Sequence, residues 1–420
     1  MTLPSLAVER EADRAASAPA TLGLAAWSRR IQEGSAYVLL FLLPFSKAAI
    51  EIAFVVWWAG WLVGLRAPGP NRTRWLTAER RPLLLALAGY LAVCGLSMLW
   101  SSHPSKSLDG FIGKWSEYLW LFVMAVDLGA RPGVMARCAA VIGLSAGVVV
   151  VEALTQHWFG AGILRGYPFA TYLRATGPYE NPIDFATYLV MVLPVLVGFA
   201  AGRRGMVLGA AGILAAALAV FLIKTDALGA WLGLACGAAA VAGLLLSVRR
   251  PVWALALAGL LVAGGIAYGS HGWRAALSTP NSSTADRWMM WQAAIGMIRE
   301  RPLLGHGVNT FMANYLDYWV GGEHQPRYAH NCYLQVAAET GLIGLALFLM
   351  TLGAMFRRVL TGLDRLPAGR RGLLLGGAVA LAAFAAQAAI DTNFYALRQA
   401  ALFWVLAGLL VGCREQERPA

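Results

Sequence analysis

Long apolar runs separated by short polar turns leave this chain few ways to fold. They recur near residues 34–46, 48–65, 82–100, 110–128, 133–154, 183–202, 205–223, 227–247, 251–269, 331–356, 372–390 and 395–413. Crossing about 30 Å of hydrocarbon takes roughly 20 apolar residues in a helix, and a helix satisfies its own backbone polar groups in lipid. With 59% hydrophobic and 13% charged residues, the chain reads as an all-α polytopic membrane protein of about twelve transmembrane helices. The first run is short and reads as a kinked hairpin with the second.

The basic residues test that count. With the N-terminus in the cytoplasm, the inside segments carry Arg10, Arg14, Arg29 and Arg30, then Arg66, Arg72, Arg74, Arg80 and Arg81. Arg131 and Arg137, Arg203 and Arg204, and Arg249 and Arg250 follow in pairs. Arg357, Arg358, Arg365, Arg370 and Arg371, then Arg414 and Arg418, complete the set. Thus 22 of the 34 basic residues fall in every second connection, the charge bias that orients a membrane protein. Both termini are expected inside. The net charge of +12 is mostly this orientation signal, and no basic-aromatic module for nucleic acid accompanies it.

Residues 1–33 carry Glu9, Glu11, Asp13 and four arginines ahead of the first run. They read as a disordered cytoplasmic tail rather than a cleavable signal peptide. Residues 34–413 then form one membrane domain, and 414–420 a second cytoplasmic tail. The five cysteines, Cys94, Cys138, Cys236, Cys332 and Cys413, are scattered and suggest neither disulfides nor a metal site.

One connection looks built for chemistry. The large outside loop at 270–330 holds four of the six histidines, His271, His306, His324 and His330, together with five arginines. It breaks the orientation bias, as does the loop 155–182 with Arg165 and Arg174. Arginine presents a rigid fork of donors that suits phosphate oxygens, so a phosphate-bearing substrate at the outer surface is expected. Lipid headgroup contact or surface solvation is the plainer alternative.

Individual residues sharpen this. Arg174-Ala175-Thr176-Gly177-Pro178 forms a rigid turn, and Asn181-Pro182 starts the next helix with proline in its first turn. Asp286-Arg287-Trp288 opens a helix placing Trp288, Trp291 and Ile295 on one face, suited to lying at headgroup level. His306 sits between Gly305 and Gly307, either as a close-approach site or as a turn cap. His330 opens the helix 331–356, with Tyr333, Leu334 and Ala337 on its face. Glu339, nine residues on, faces away. Histidine moves protons near neutral pH, so His330 is the foremost candidate, with an interfacial anchor as the plain alternative. Lys114 and Glu117, three apart, pair with each other. Asp391, closing the eleventh run, reaches the cavity of His330.

The motifs Arg174-x-x-Gly177 leading to Asn181-Pro182, Arg287-x-x-x-Trp291, Pro302-Leu303-Leu304-Gly305-x-Gly307 and His330-Asn331-x-Tyr333-Leu334 followed by Glu339-x-Gly341-x-x-Gly344 resemble the O-antigen ligase superfamily. The resemblance runs from about residue 80 to the C-terminus. It implies a glycosyltransferase of the C-type membrane fold in the bacterial inner membrane, with a periplasmic active site. The donor would be O-antigen on undecaprenyl pyrophosphate, and the acceptor a sugar hydroxyl of lipid A–core oligosaccharide. Membrane lipids are the other expected partners, and neither cofactor nor metal is expected. On this chain the resemblance implies His330 as general base, Arg174 and Arg287 on the pyrophosphate, and Asp391 as a supporting acid. Lys224, Arg327, Lys47 and His306 would be further substrate contacts. Where the family often has Ser-Arg-Gly-Ala, this chain reads Lys224-Thr225-Asp226-Ala227-Leu228-Gly229-Ala230, so Lys224 stands in as a point charge.

Other readings share these features. An O-antigen polymerase uses the same donor with a lipid-linked glycan as acceptor, and a protein-glycosylating relative transfers to protein. A transporter of lipid-linked glycans would instead place charge at mid-membrane in repeated halves, whereas here charge collects at one face.

Overall fold

The computed structural model describes residues 4–66, 81–169, 173–246, 283–321 and 324–414. The expected run 251–269, His271 and Arg274 lie outside the described residues, as do Arg72, Arg74, Arg80, Arg249, Arg250 and Arg418. Every other run falls on helix. These helices are α1 (Pro4–Leu42), α2 (Lys47–Arg66), α3 (Arg81–Ser97), α4 (Pro104–Gly110), α5 (Glu117–Gly129), α6 (Val134–Phe159) and α7 (Pro182–Ala200). Then come α8 (Gly205–Lys224), α9 (Leu228–Leu246), α10 (Ser283–Glu300), α11 (Phe311–Asn314), α12 (Cys332–Leu360), α13 (Ala368–Gln387) and α14 (Leu397–Cys413). Among the described residues seven helices are long and apolar enough to cross a membrane, and Leu228–Gly243 and Leu397–Cys413 are shorter apolar helices. The protein is an all-α polytopic membrane protein.

The last helix is the axis. From Arg398 to Cys413 every residue of α14 is buried, which is why its sequence is apolar on all sides. Lipid offers no hydrophobic drive for helix association, so packing depends on small residues that let backbones approach. A Cβ on Gly412 would stand 2.1 Å from the Val126 carbonyl oxygen of α5. One on Gly198 of α7 would meet the Gly372 oxygen of α13 at 2.3 Å, and one on Gly237 of α9 would meet Ala383 N at 2.4 Å. Hydrogen bonds add to this, each worth about 0.6 kcal/mol in such bundles. Gln387 donates to Thr187 Oγ1 at 2.7 Å across α13 and α7, and Trp61 donates to Asp127 Oδ2 at 2.6 Å across α2 and α5.

Three expectations are corrected. The segment expected as a disordered tail is helical from Pro4, and Ser28 Oγ donates to the Gly60 carbonyl of α2 at 2.8 Å. The helix in the large loop packs by Met290, Ala293, Ala294 and Met297 against Phe311, Tyr315 and Ala338. Its Trp288 is 57% exposed, so the face carrying Trp288 points outward and that expectation is unchanged. Lys114 does not pair with Glu117, because residues 111–116 are wound as a π-helix, which spoils the spacing of an ordinary turn. Instead Lys114 Nζ donates to Asn309 Oδ1 at 2.8 Å. Finally, His330 lies outside α12: Asn331 is the N-cap, its Oδ1 accepting from the N–H groups of Tyr333 and Leu334 at 3.0 Å. With φ +45°, His330 precedes the cap in a left-handed conformation, so no helical face fixes its direction.

Helix α12 is broken. Gly341 has φ +72° and ψ 180° inside it, which frees backbone groups that apolar surroundings cannot satisfy. The 302–307 loop satisfies them. His306 N donates to the Ala338 oxygen at 3.0 Å, Gly307 N to the Glu339 oxygen at 2.9 Å, and Leu342 N to the Pro302 oxygen at 2.7 Å. A Cβ at Gly341 would stand 2.0 Å from the Leu303 oxygen. The Pro302-to-Gly307 motif and the Glu339-to-Gly344 motif are thus two halves of one joint.

Candidate active site

His330 is positioned by the chain on both sides of it. Cys332 N donates to the Ala388 oxygen at 2.8 Å and to the Asp391 oxygen at 3.2 Å, so the start of α12 is clamped to the turn after α13. That clamp sets His330 Nδ1 3.7 Å from Asp391 Oδ1. The distance exceeds a hydrogen bond, and Nδ1 is buried without a hydrogen-bond partner, while the side chain as a whole is 35% exposed. The enclosed edge of the ring therefore faces the carboxylate and another edge faces the open side. A positive φ on a residue with a Cβ costs about 1–3 kcal/mol and persists only where surrounding contacts impose it. The N-cap and the clamp are those contacts.

Asp391 belongs to a wider polar belt. Gln387 Nε2 donates to its Oδ2 at 3.4 Å and Thr392 N to its Oδ1 at 2.8 Å. At the start of α7, Asp184 accepts from Asn181 Nδ2 at 2.7 Å and from Gln399 Nε2 at 2.5 Å. A Cβ on Gly229, at the start of α9, would lie 2.9 Å from Ile390 Cδ1, so the corner between α8 and α9 abuts the Asp391 turn.

That corner holds the first arginine. Arg174 Nε donates to the Thr225 oxygen at 2.8 Å and its Nη2 to the Asp226 oxygen at 3.2 Å, while Ala175 N donates to the Lys224 oxygen at 2.9 Å. The guanidinium caps the negative C-terminal end of α8 and stands in the same corner as exposed Lys224. Arg398, buried at the start of α14, holds the neighbouring loops. It donates to the Pro44 and Pro178 oxygens at 3.0 and 3.2 Å and lies 4.5 Å from the centroid of the Tyr179 ring. Lys47 is exposed three residues beyond Pro44, at the rim of the same end.

The large loop approaches from the other side. Arg327, three residues before His330, lies 3.7 Å from Asp286 Oδ2, which brings the first turns of α10, with Arg287, alongside the His330 segment. His306 does not join the site. It is 3% exposed and its Nε2 lies 3.0 Å from the Met297 oxygen, so it braces the joint with α10. Burial holds its imidazole pKa below the ordinary value, partly opposed by the bond to Met297.

Several residues of this end escaped sequence reasoning. Glu339 is 1% exposed and accepts from Asn309 N at 2.7 Å, Phe311 N at 3.2 Å, Tyr395 Oη at 3.0 Å and Gln335 Nε2 at 3.2 Å. It is the hub that ties the large loop to α12. Gln387 and Gln399 carried one signal, an amide within an apolar run. Among the described residues no three His, Cys, Asp or Glu side chains are grouped so as to hold a metal ion.

The chain is similar to known proteins in two comparisons. Residues 189–349, from α7 through the broken joint of α12, match the family model described as O-Antigen ligase. That stretch contains Lys224, Arg287, His306, Arg327 and His330, and leaves Lys47, Arg174 and Asp391 outside. The chain is also 25% identical over 349 residues to the exopolysaccharide production protein ExoQ of Rhizobium meliloti (strain 1021), covering 69% of this chain and 77% of that one. Over these stretches this multi-pass membrane protein is similar to members of the O-antigen ligase/polymerase superfamily.

Proposed function

We propose that the protein is an O-antigen ligase, transferring O-antigen from undecaprenyl pyrophosphate to a sugar hydroxyl of lipid A–core oligosaccharide at the periplasmic face of the inner membrane. The observation that carries this reading is the His330 and Asp391 pair, held at the bundle end where Arg174, Lys224 and Arg327 also collect. The ring nitrogen remote from Asp391 takes the proton of the acceptor hydroxyl as its oxygen bonds to the anomeric carbon. The bond from that carbon to the pyrophosphate oxygen breaks, and undecaprenyl pyrophosphate leaves with the electron pair. Asp391 steadies the imidazolium, as a carboxylate does in other histidine-base sites. Arginine and lysine offset the charge gathering on the leaving group, Arg174 and Lys224 from the α8 corner and Arg287 and Arg327 from the loop. Attack with a single base inverts the anomeric centre, and a product of retained configuration would sink that step.

The likeness to an exopolysaccharide production protein supports a second reading, polymerisation, in which the acceptor is another lipid-linked glycan. The two are separated with purified protein, lipid-linked O-antigen and rough lipopolysaccharide, with a chelator present. A ladder on lipopolysaccharide from wild type, reduced about 10²–10⁴-fold in His330→Ala, is the ligase result. Extension of the lipid-linked glycan without modified lipopolysaccharide selects polymerisation. An unimpaired His330→Ala variant removes the base from either reaction.

A further inference from the structure

Glu339 is bonded more fully than the joint of α12 requires. It is 1% exposed, and a carboxylate buried there is costly unless hydrogen-bonded. The backbone N–H groups of Asn309 and Phe311 already serve it at 2.7 and 3.2 Å and bind the large loop. Lys114, which donates to Asn309 Oδ1 at 2.8 Å, is near enough to feel its charge. Two further bonds, both from side chains, leave the joint toward His330 and Asp391. Gln335, one turn earlier on α12, donates from Nε2 to Glu339 Oε1 at 3.2 Å. The same amide accepts at Oε1 from Ala329 N at 3.3 Å, in the residue before His330. On the other side Tyr395 Oη donates to Glu339 Oε2 at 3.0 Å, and Tyr395 closes the short turn Asn393–Tyr395 that follows Asp391. The Tyr395 ring also lies 6.1 Å from that of Tyr328, two residues before His330.

We infer that Glu339 is a positioning residue for the transfer reaction, setting the separation of His330 and Asp391 through Gln335 on one side and Tyr395 on the other. This rests on the reading of His330 as the base. The clamp of Cys332 N on the Ala388 and Asp391 oxygens holds the chain after His330, and the Gln335 bond to Ala329 holds the chain before it. A left-handed residue with a Cβ keeps its conformation only where contacts impose it, and control of both flanks supplies that. Gln335 itself is fully buried with both ends of its amide bonded. An apolar side chain of the same shape would fill that place on α12 without needing partners, so the amide is accounted for by what it links. Only a carboxylate offers two oxygens with room for four donors and none of its own, which is what the loop and the two arms together demand. Glu339 thus acts through its neighbours rather than on substrate.

The test uses purified full-length protein with lipid-linked O-antigen and rough lipopolysaccharide, scoring transfer to either acceptor. Gln335→Leu and Tyr395→Phe each cut one arm and leave the Asn309 and Phe311 bonds in place, so they decide the matter even if Glu339→Gln fails to fold. Because a misplacement of about 1 Å costs a reaction about 10²-fold, each arm variant should lower kcat roughly 10-fold and the two together roughly 100-fold, with KM for the donor unchanged. Glu339→Gln should match the double variant. The two arm substitutions are then combined with His330→Ala. A role exercised through His330 predicts that they change the residual rate there by less than about 2-fold. An equal loss in both backgrounds would make the arms merely structural and overturn the inference. Arm variants that keep the wild-type kcat, or that raise KM instead, would overturn it while leaving His330 as the base. An unimpaired His330→Ala variant would remove the base itself, and the positioning role with it.

Discussion

The two ends of the bundle solve the same problem, turning the chain between helices, with different residues. At the end remote from His330 the left-handed positions are glycines, Gly133, Gly205 and Gly362, which adopt them without strain. The His330 end uses glycines too, among them Gly160, Gly177, Gly305 and Gly307, but there Leu173, Asp226, Asn309 and His330 also adopt positive φ despite carrying a Cβ. Three of the four lie at candidate functional groups: His330 is one, Leu173 precedes Arg174, and Asp226 accepts from it. Strain of this kind clusters where geometry serves function. Arg174, next to the left-handed Leu173, is locked onto carbonyls in a shaped corner.

The largest expected effect on stability lies at the joint of α12. Gly341→Ala places a Cβ 2.0 Å from the Leu303 oxygen at φ +72°, so either the joint opens or the Pro302-to-Gly307 loop leaves α12. Combining backbone incompatibility with exposed buried polar groups, the cost is about 3–5 kcal/mol. Gly353→Ala in the same helix, with open space around the new Cβ, should cost nothing. Thermal unfolding of the pair in detergent measures the contrast, and equal midpoints would mean the break at Gly341 is not required.

A smaller, opposed pair addresses the turns directly. Leu173→Gly relieves a left-handed leucine that is 78% exposed and should stabilise by about 1 kcal/mol, while transfer falls as Arg174 loses its fixed approach. Gly133→Ala imposes strain at φ +75° and should destabilise by about 1 kcal/mol without loss of transfer. If Leu173→Gly gains stability at full activity, the strain at this end has no functional purpose.

Much of the layout is legible in the sequence because run length alone dictates a membrane helix. His330 and Asp391 stand out because each interrupts the end of such a run. The joint is invisible to that reasoning. A glycine inside an apolar run is ordinary, and nothing local to Gly341 announces that Pro302 to Gly307 will dock there. The same limit hid the partner of Lys114: spacing proposed Glu117, and a π-turn changed the spacing. Local pattern locates elements, but long-range backbone satisfaction decides how the site is braced.

His306 gives the finest test of that bracing, because it sits in the joint and titrates. Its Nε2 lies 3.0 Å from the Met297 oxygen, so the neutral ring donates there and its other nitrogen is left in a buried setting. Burial lowers the folded-state pKa below the ordinary value of about 6.5. Above that value the ring is neutral in folded and unfolded chains alike, and the joint keeps its full stability. As pH falls from about 6.5 toward the depressed folded value, the unfolded chain takes up the proton first and stability declines. Thermal midpoints measured from pH 7.5 down to 5 should therefore fall more steeply for wild type than for His306→Gln, whose amide keeps a donor but does not titrate. Parallel curves would mean that the acid sensitivity of this end comes from other groups, and that the joint does not respond to His306.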